Sequence, residues 1–253
     1  MRTRLWRPFE RHAPALPGAV VKRVGHKGAH HVEHENTIAS FDAALEHGVD
    51  MIEFDIIPHP ERPDQLVIAH DQRDARERPP LRLERALHYL AQPQFASIEF
   101  DIDLKGRGYE FEVARAIEQF GLTDRALVSS QYPRSLTKVR AVSPRLRVGW
   151  SVPKARHDWM LTPLAPLALL VYGTWKLLLP AFAFQAISGG RCDAIMAHHR
   201  MLTPALLRAV RDAGGELYIW TVDKASAIAK LEQIGVSGII SNDPRLFTKP
   251  STY

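Results

Sequence analysis

The chain has 253 residues, of which 45% are hydrophobic and 24% are charged. This length and composition exclude a disordered, collagen-like or coiled-coil protein, and they allow a core that folds without disulfides. The single cysteine, Cys192, excludes an intrachain disulfide framework and fits a reducing compartment. Because no apolar stretch follows the basic first residues, we expect no secretory signal and a cytoplasmic protein, peripheral to the membrane if it contacts one.

The chain is basic, with 33 Lys and Arg residues against 28 Asp and Glu residues and a formal net charge of +5. Part of the excess lies in residues 1–19, which we predict to be a basic N-terminal arm. No zinc-finger spacing, arginine-rich recognition helix or aromatic RNA-binding signature is present, so we expect no nucleic-acid partner. The same charge would attract anionic lipid or a phosphate-bearing substrate.

Short β-branched or aromatic runs alternate with segments of helical period, which is typical of βα units and a parallel sheet. In chain order, we predict strands near residues 20–26, 51–57, 98–105, 126–131, 147–152, 193–198, 216–222 and 238–242. The clearest helical patterns cover residues 37–47, 109–120, 135–142, 203–213 and 224–234. Eight strands with crossover helices in about 250 residues predict an α/β fold, a single-domain (β/α)8 TIM barrel over residues 20–253.

Two segments are longer than a minimal barrel requires. Residues 59–95 form a small insertion after the second predicted strand, and residues 153–190 form an apolar helical excursion after the fifth. Between Trp159 and Gly190 the only charged residue is Lys176, whereas an outer barrel helix normally shows a polar stripe. Three interpretations remain open: an extra buried helix pair, an oligomer interface, or a hairpin that dips into a membrane surface.

Prolines and a glycine interrupt the excursion, so we do not expect a clean membrane-spanning helix. Its aromatic residues Trp159, Tyr172 and Trp175 suit the interfacial layer of a membrane. Because the excursion follows the fifth strand, we place it near the catalytic face of the barrel.

Acidic residues alternate with apolar ones inside two predicted strands. In MIEFDII, a period of two places Glu53 and Asp55 on one face of the strand. In SIEFDIDLK, the same period places Glu99, Asp101, Asp103 and Lys105 on the face opposite the apolar residues. Since the apolar face meets the helices, these charged side chains point into the barrel.

Buried carboxylates in neighbouring strands require compensating positive charge. A hard divalent cation held by Glu53, Asp55 and Asp103 would supply it, and oxygen ligands favour Mg²⁺ or Ca²⁺. The alternative is a buried salt-bridge network with Lys105 and no metal.

Two histidines end short apolar runs. His26 follows the first strand in VGHKG, and His70 follows LVIA in LVIAHD. A histidine pair beside a metal suits acid–base cleavage of a phosphate ester. At the end of the last strand, Asn242 and Asp243 have a turn or helix-capping role as the default expectation.

Several of these motifs occur together and in order: GHKG, HENTIASFDAALEHGVDMIEFDI, LVIAHD, DLK, YIWTVD and GVSGIISNDP. Over residues 21–247 the chain resembles the glycerophosphodiester phosphodiesterase family. The resemblance implies a TIM barrel, one divalent cation, and hydrolysis of glycerophosphodiesters to glycerol 3-phosphate and an alcohol. It therefore implies an enzyme of lipid or glycerol metabolism, a phosphoric diester hydrolase.

The resemblance also assigns site residues. His26 and His70 match the family's catalytic pair, and Glu53 and Asp55 match two of its metal ligands. Asp103 stands where the family usually has glutamate, the third ligand position. The other matching positions are the lysine Lys105, the tryptophan Trp220, and Glu35, which we expect to support the ligands; Lys27 replaces the usual arginine.

Lys27 keeps the positive charge but loses the bidentate fork that arginine offers to phosphate. Asp103 resembles the aspartate of sphingomyelinase-D-type phospholipases. One alternative function is therefore lysophospholipase D-type cleavage of lysophospholipids at a membrane surface through residues 159–190. A second alternative is a catalytically lapsed barrel that binds lipid or a partner.

Overall fold

The computed structural model describes residues 20–152 and 165–247, so the predicted arm 1–19 and the residues around Trp159 lie outside it. The strands are β1 (Lys22–Gly25), β2 (Met51–Pro58), β3 (Leu66–Ile68), β4 (Leu81–Arg82), β5 (Glu99–Leu104), β6 (Ala126–Ser130), β7 (Arg147–Ser151), β8 (Ala194–His198), β9 (Glu216–Trp220) and β10 (Gly238–Ser241). The helices are α1 (Ile38–Glu46), α2 (Asp74–Glu77), α3 (Leu83–Leu90), α4 (Glu110–Gln119), α5 (Pro133–Val142), α6 (Ala165–Ser188), α7 (Pro204–Asp212) and α8 (Ala225–Ile234).

Eight of the strands form a closed parallel barrel in the order β1-β2-β5-β6-β7-β8-β9-β10. The ring closes because β1 pairs with β2 on one side and with β10 on the other. All eight barrel strands lie where the sequence predicts them, and the prediction of a single-domain TIM barrel is confirmed. β3 and β4 add to the outer side of β2 as antiparallel strands.

The alternation in β2 sorts its side chains as predicted. Ile52, Phe54 and Ile56 are fully buried in the main core between the strands and the helices. Glu53 and Asp55 point to the other face, into the barrel, and both are buried. The inward face is thus apolar only in the layers away from Glu53 and Asp55, where Tyr218 and six other buried residues form a second cluster.

The amino-terminal end of the barrel is closed by ion pairs between the first residues of four strands. Lys22 Nζ lies 2.8 Å from Glu99 Oε1 and 3.6 Å from Glu216 Oε1. Arg147 pairs with both glutamates, with its Nη1 3.2 Å from Glu216 Oε2. Two cations balance two anions here, so this end leaves no excess charge, in contrast to the acidic opposite end.

The insertion 59–95 contains β3, α2, β4 and α3. α3 was not predicted, although its buried Leu83, Ala86, Leu87 and Leu90 follow the helical period and pack on the core. It is the crossover helix between β2 and β5, so the insertion is an ordinary βα unit enlarged by two short strands and a single helical turn. The antiparallel β3 runs back along β2 and ends two residues before His70.

The described part of the excursion is one continuous helix, α6, of 24 residues. The expectation that proline and glycine would interrupt it is wrong: Gly173 and Pro180 both lie inside the helix. A proline removes one backbone hydrogen bond, and here the buried contacts of Leu179 and Ala183 hold the helix against the core on either side of Pro180. At 1.5 Å per residue α6 is about 36 Å long, more than twice the length of α4 or α5.

Candidate active site at the carboxyl ends of the strands

Three acidic side chains converge inside the barrel near the carboxyl ends of β2 and β5. The strands pair in register, with Asp55 opposite Asp103, and Glu53 lies two residues earlier on the same face of β2. One carboxylate oxygen from each of the three residues lies within 4.8 Å of the other two. The predicted ligand set is therefore brought together, as the period-two pattern required.

These three residues fit a divalent cation. Asp103 Oδ1 is buried and has no hydrogen-bond partner among the described residues. Burial raises the pKa of Glu53 well above its ordinary value, and the charge of Asp55 raises it further. A bound cation would pair the orphaned oxygen and let all three carboxylates ionise together. Glu53, Asp55 and Asp103 are thus the residues suited to hold it.

Lys105 is the ammonium that lies nearest to this cluster. Its Nζ lies 2.7 Å from Asp55 Oδ1 and 2.5 Å from Asp103 Oδ2. Burial opposes the charge of Lys105, but its carboxylate neighbours raise its pKa well above the ordinary value. Lys27 Nζ is the second ammonium, 4.0 Å from Asp55 Oδ2 but paired with Glu35, so the salt-bridge network alone leaves the three carboxylates undercompensated.

The loop after β1 wraps around the acidic cluster. The backbone N–H of Lys27 donates to Glu53 Oε2 at 2.8 Å, and Asn36 both donates to Asp55 Oδ2 and accepts from the Asp55 backbone N–H. Lys27 and Asn36 adopt left-handed backbone angles, with φ of 53° and 59°. Such angles are costly for non-glycine residues and mark functional sites. At Gly28, φ is 84° and an added Cβ would lie 2.4 Å from Ser40 Oγ.

Lys27 and Glu35 form an ion pair at the rim of this site. Lys27 Nζ lies 2.9 Å from Glu35 Oε2 and 4.0 Å from Asp55 Oδ2. His30 Nδ1 lies 3.0 Å from the same oxygen of Glu35. Glu35 is not among the oxygens that converge on the cation position; it contacts Lys27 and His30 beside that position, and its predicted supporting role stays a prediction.

His26 and His70 approach the acidic cluster from two different loops. His26 Nε2 lies 3.8 Å from Glu53 Oε2, and its Nδ1 lies 2.5 Å from Asn242 Oδ1. Burial lowers the pKa of His26 to about 4, against the opposing effects of Asp55 and Asn242. His26 is therefore neutral near pH 7 in the metal-free protein.

His70 is more exposed and comes from the insertion. Its Nδ1 lies 3.3 Å from Asp71 Oδ2. Burial opposes the ionisation of Asp55, yet the positive charges of the two lysines and His70 hold the pKa of Asp55 below its ordinary value. His70 thus acts electrostatically on the same carboxylate that contacts Lys105. With the loop His30–Glu35 and with Asp71, it lines an open cavity of about 660 Å³.

Trp220 lies at the end of β9, on the same rim. Its ring packs edge-on against His198, with centroids 5.2 Å apart, and contacts the cluster of buried residues inside the barrel. The indole therefore closes the interior on this side while keeping part of its surface at the mouth. Its predicted contact with substrate stays a prediction.

Sequence reasoning missed the side chains that hold the predicted ones in place. Asp243 accepts from the backbone N–H of Arg245 and caps a short turn, as expected. Asn242 does more than form a turn, because its side chain contacts His26. Barrel closure places β10 beside β1. A polar residue just after β10 could therefore have been predicted to lie near His26. Asn36 carried no comparable signal, since only the loop conformation brings it to Asp55.

Known proteins share this architecture. Residues 26–77 and 84–246 match the model of the glycerophosphoryl diester phosphodiesterase family. YhdW of Bacillus subtilis, provisionally named a glycerophosphodiester phosphodiesterase, is 26% identical over 260 residues, covering 91% of this chain and 98% of its own. A glycerophosphodiester phosphodiesterase of Caldanaerobacter subterraneus is 24% identical, covering 87% of this chain and 93% of its own.

The fold is also similar to that of an Oleispira antarctica phosphodiesterase solved with the product sn-glycerol-3-phosphate. That structure superposes with a TM-score of 0.65 at 17% identity and covers 89% of this chain and 94% of its own. At this identity the likeness concerns the fold. The family match, which covers most of the barrel, decides the classification: the chain belongs to the glycerophosphoryl diester phosphodiesterase family.

Proposed function

We propose that the protein is a metal-dependent phosphodiesterase that hydrolyses glycerophosphodiesters to glycerol 3-phosphate and an alcohol. The observation that carries this proposal is the convergence of Glu53, Asp55 and Asp103 at the barrel mouth, with His26 against them. Family membership supplies the reaction class. The preferred ion, Mg²⁺ or Ca²⁺, follows from the all-oxygen ligand set as a pair of candidates.

The protein's own residues divide the work of hydrolysis. Lys27 and Lys105 lie beside the carboxylates and offset the negative charge that a phosphodiester brings. A divalent cation, when bound, would polarise a phosphoryl oxygen and lower the pKa of the attacking water. The new bond joins the water oxygen to phosphorus, and the bond from phosphorus to the alcohol oxygen breaks.

The two histidines suit the two proton transfers of this reaction. One accepts a proton from the attacking water, and the other gives a proton to the leaving alkoxide. His26, neutral and half-buried, suits the acceptor role. His70 is exposed in the wall of an open cavity that it shares with Glu35, so it suits the donor role towards an alcohol that leaves into solvent.

We further propose that the protein is cytoplasmic and lies at the periphery of an anionic membrane through the exposed apolar residues of α6. Leu169, Leu170, Val171 and Leu177 are exposed by 53%, 65%, 59% and 81%. Leu169–Ser188 has a mean hydropathy of 1.3 and is only 22% buried, so it lacks the cover that a core helix of similar composition has. By length and composition alone it passes for a membrane span, which is weak evidence for one.

The exposed part of α6 lies close to the mouth of the barrel, which supports a membrane contact on the side where substrate enters. Tyr172 OH donates to the backbone oxygen of Arg200, two residues after β8 ends, and Trp175 packs on Trp150 of β7. The residues before Tyr172 therefore continue past the carboxyl ends of the strands, on the side where substrate enters. The chain's net charge of +5 complements anionic lipid.

This arrangement favours lysophospholipids as a second candidate substrate, because their acyl chains stay in the membrane beside the mouth. The test offers purified protein glycerophosphocholine and lysophosphatidylcholine side by side, with Mg²⁺ or Ca²⁺. We expect turnover of glycerophosphocholine. Turnover of lysophosphatidylcholine alone would transfer the assignment to the second candidate, and turnover of neither would contradict both.

A further inference from the structure

His26 is the first member of a chain of three hydrogen-bonded side chains that crosses the closure of the barrel. His26 follows β1, Asn242 follows β10 and Asp223 follows β9. Asn242 Oδ1 lies 2.5 Å from His26 Nδ1, and Asn242 Nδ2 donates to Asp223 Oδ2 at 2.7 Å. Asp223 Oδ1 accepts from the backbone N–H of Asn242 at 2.8 Å and from Ser241 Oγ at 3.0 Å.

The chemistry of Asp223 fixes the direction of every bond in this chain. An ionised carboxylate only accepts hydrogen bonds, so the amide of Asn242 must turn its Nδ2 towards Asp223. The amide oxygen of Asn242 is then the atom that faces His26. An oxygen of this kind accepts, and His26 Nδ1 must therefore carry the proton.

We propose that Asn242 and Asp223 are positioning residues that hold His26 in its Nδ1–H tautomer and aim the lone pair of Nε2 at the reacting water. Nε2 is the ring atom that faces the acidic cluster, 3.8 Å from Glu53 Oε2. This inference rests on the proposed hydrolysis and adds which atom of His26 takes the proton. It also names the device that prepares that atom before substrate binds.

The inference is tested by reversing the direction of the bonds. In Asp223→Asn, residue 223 can donate as well as accept, so the amide of Asn242 is free to flip and present its Nδ2 to His26. That flip favours the Nε2–H tautomer, which cannot accept a proton. We expect kcat to fall at least ~10-fold with KM within about twofold.

The exchanged pair is the sharpest variant. In Asp223→Asn/Asn242→Asp, the amide at 223 donates to the carboxylate at 242, and that carboxylate accepts from His26 Nδ1. The bond between residues 242 and 223 is reversed, but residue 242 still accepts from His26 Nδ1, so the His26 tautomer is kept and we expect kcat to recover to within about threefold of the wild type. Asn242→Asp alone places two carboxylates in contact and should be impaired.

Asp50→Asn provides the matched control. Asp50 accepts from the backbone and guanidinium of Arg23 and precedes β2, at the opposite end of the barrel from His26. This variant loses one structural carboxylate, so thermal stability should fall while kcat stays within about twofold. A loss of kcat that follows stability across all the variants would overturn the positioning role.

Nitrogen-15 NMR of the histidine rings provides a readout that needs no turnover. The wild type and the exchanged pair should show His26 protonated at Nδ1, and Asp223→Asn should show proton density moved to Nε2. An unchanged tautomer in Asp223→Asn, or no recovery of kcat in the exchanged pair, would overturn the inference. A wild type with the expected tautomer but no activity on glycerophosphodiesters would instead contradict the proposed function.

Discussion

Glu53, Asp55 and Asp103 bring three carboxylate oxygens within 4.8 Å of one another, and burial together with the charge of Asp55 raises the pKa of Glu53. Lys105 relieves Asp55 and Asp103 directly, while Glu53 depends on the backbone N–H of Lys27. The cluster is therefore strained without a cation, and that strain is the physical basis of the proposed metal affinity.

Replacing Glu53 by Gln keeps the shape of the side chain and its acceptor for Lys27, but removes one negative charge. We expect turnover to fall at least ~100-fold. In metal-free buffer the thermal midpoint should stay level or rise, because repulsion with Asp55 is lost. Kinetics at limiting metal and thermal melts measure both effects.

Glu99→Gln is the control for that variant. It also removes a carboxylate from a barrel strand, but from the ion pairs with Lys22 and Arg147 at the far end. It should lower the melting temperature and spare turnover. Near-normal turnover in Glu53→Gln at limiting metal would reject Glu53 as a ligand.

The histidine pair predicts a characteristic lack of additivity. His26→Ala and His70→Ala should each lower kcat at least ~100-fold, because each removes one proton transfer. The double variant should be far less than multiplicatively worse, since both residues act on one transition state. Two mild effects that simply multiply would show that the residues do not work as a pair.

Cys192 provides a pH prediction away from the site. Burial raises the pKa of its thiol from 9.0 to about 12. Between these values the unfolded chain loses the proton and the folded chain keeps it, so the contribution is full below pH 9 and is lost as pH rises towards 12. The slope is about 1.4 kcal/mol per pH unit for one proton.

Denaturant titrations of the wild type and Cys192→Ala across this range measure the effect. The variant has a constant offset from the small cavity, but its stability should fall less steeply with pH. Parallel pH dependences for the two proteins would show that the thiol titrates normally in the fold.

At the residue scale, the sequence was sufficient where a short period determines the geometry. Alternation in β2 and β5 placed Glu53, Asp55, Asp103 and Lys105 on one inward face, as found. The contacts of Asn36 and Asp223 could not be predicted from a local pattern, because a left-handed loop and barrel closure bring these residues to the site. Contacts of that kind depend on long-range packing and leave no local pattern.

Among the elements, α6 differs from the other described helices in length and in the apolar surface it exposes. Its carboxyl-terminal half is anchored by buried Leu179, Ala183 and Ala186 but also exposes Leu177, Phe182 and Phe184. Its other half keeps Leu169 and Leu170 exposed near the mouth. The sequence predicted the apolar excursion but not a continuous helix, since helix-breaking residues are tolerated where buried contacts flank them.

Replacing Leu169, Leu170 and Leu177 by Ser tests the membrane proposal. Binding to anionic vesicles should weaken with salt in the wild type yet persist in part, because buried apolar area is insensitive to salt. The triple variant should lose that salt-resistant part and keep its activity on soluble glycerophosphocholine. Vesicle flotation at low and high salt measures it.

Phe111 and Ile234, exposed by 52% and 44% on α4 and α8, provide the control. Their double serine variant removes exposed apolar area elsewhere and should float like the wild type. A wild type that fails to float at high salt would contradict the membrane proposal. A triple variant that changes oligomeric state would assign the surface to a partner copy instead.

For the whole molecule, the two ends of the barrel differ in their charge balance. The amino-terminal end is neutralised by Lys22, Arg147, Glu99 and Glu216, whereas the mouth carries an acidic excess. Strand number and order could be predicted from the sequence because each βα unit is local. The path of the insertion could not, because β3 turns back along β2 and carries His70 to the mouth.

The central claim is that a divalent cation at Glu53, Asp55 and Asp103 is required for hydrolysis of a glycerophosphodiester. Phosphorus-31 NMR of glycerophosphocholine with metal-stripped protein, titrated with Mg²⁺ or Ca²⁺, tests it most directly. We predict no turnover without metal, and glycerol 3-phosphate as the phosphorus product once about one ion per chain is added. Full turnover in the stripped protein, or phosphocholine as the product, would contradict the account.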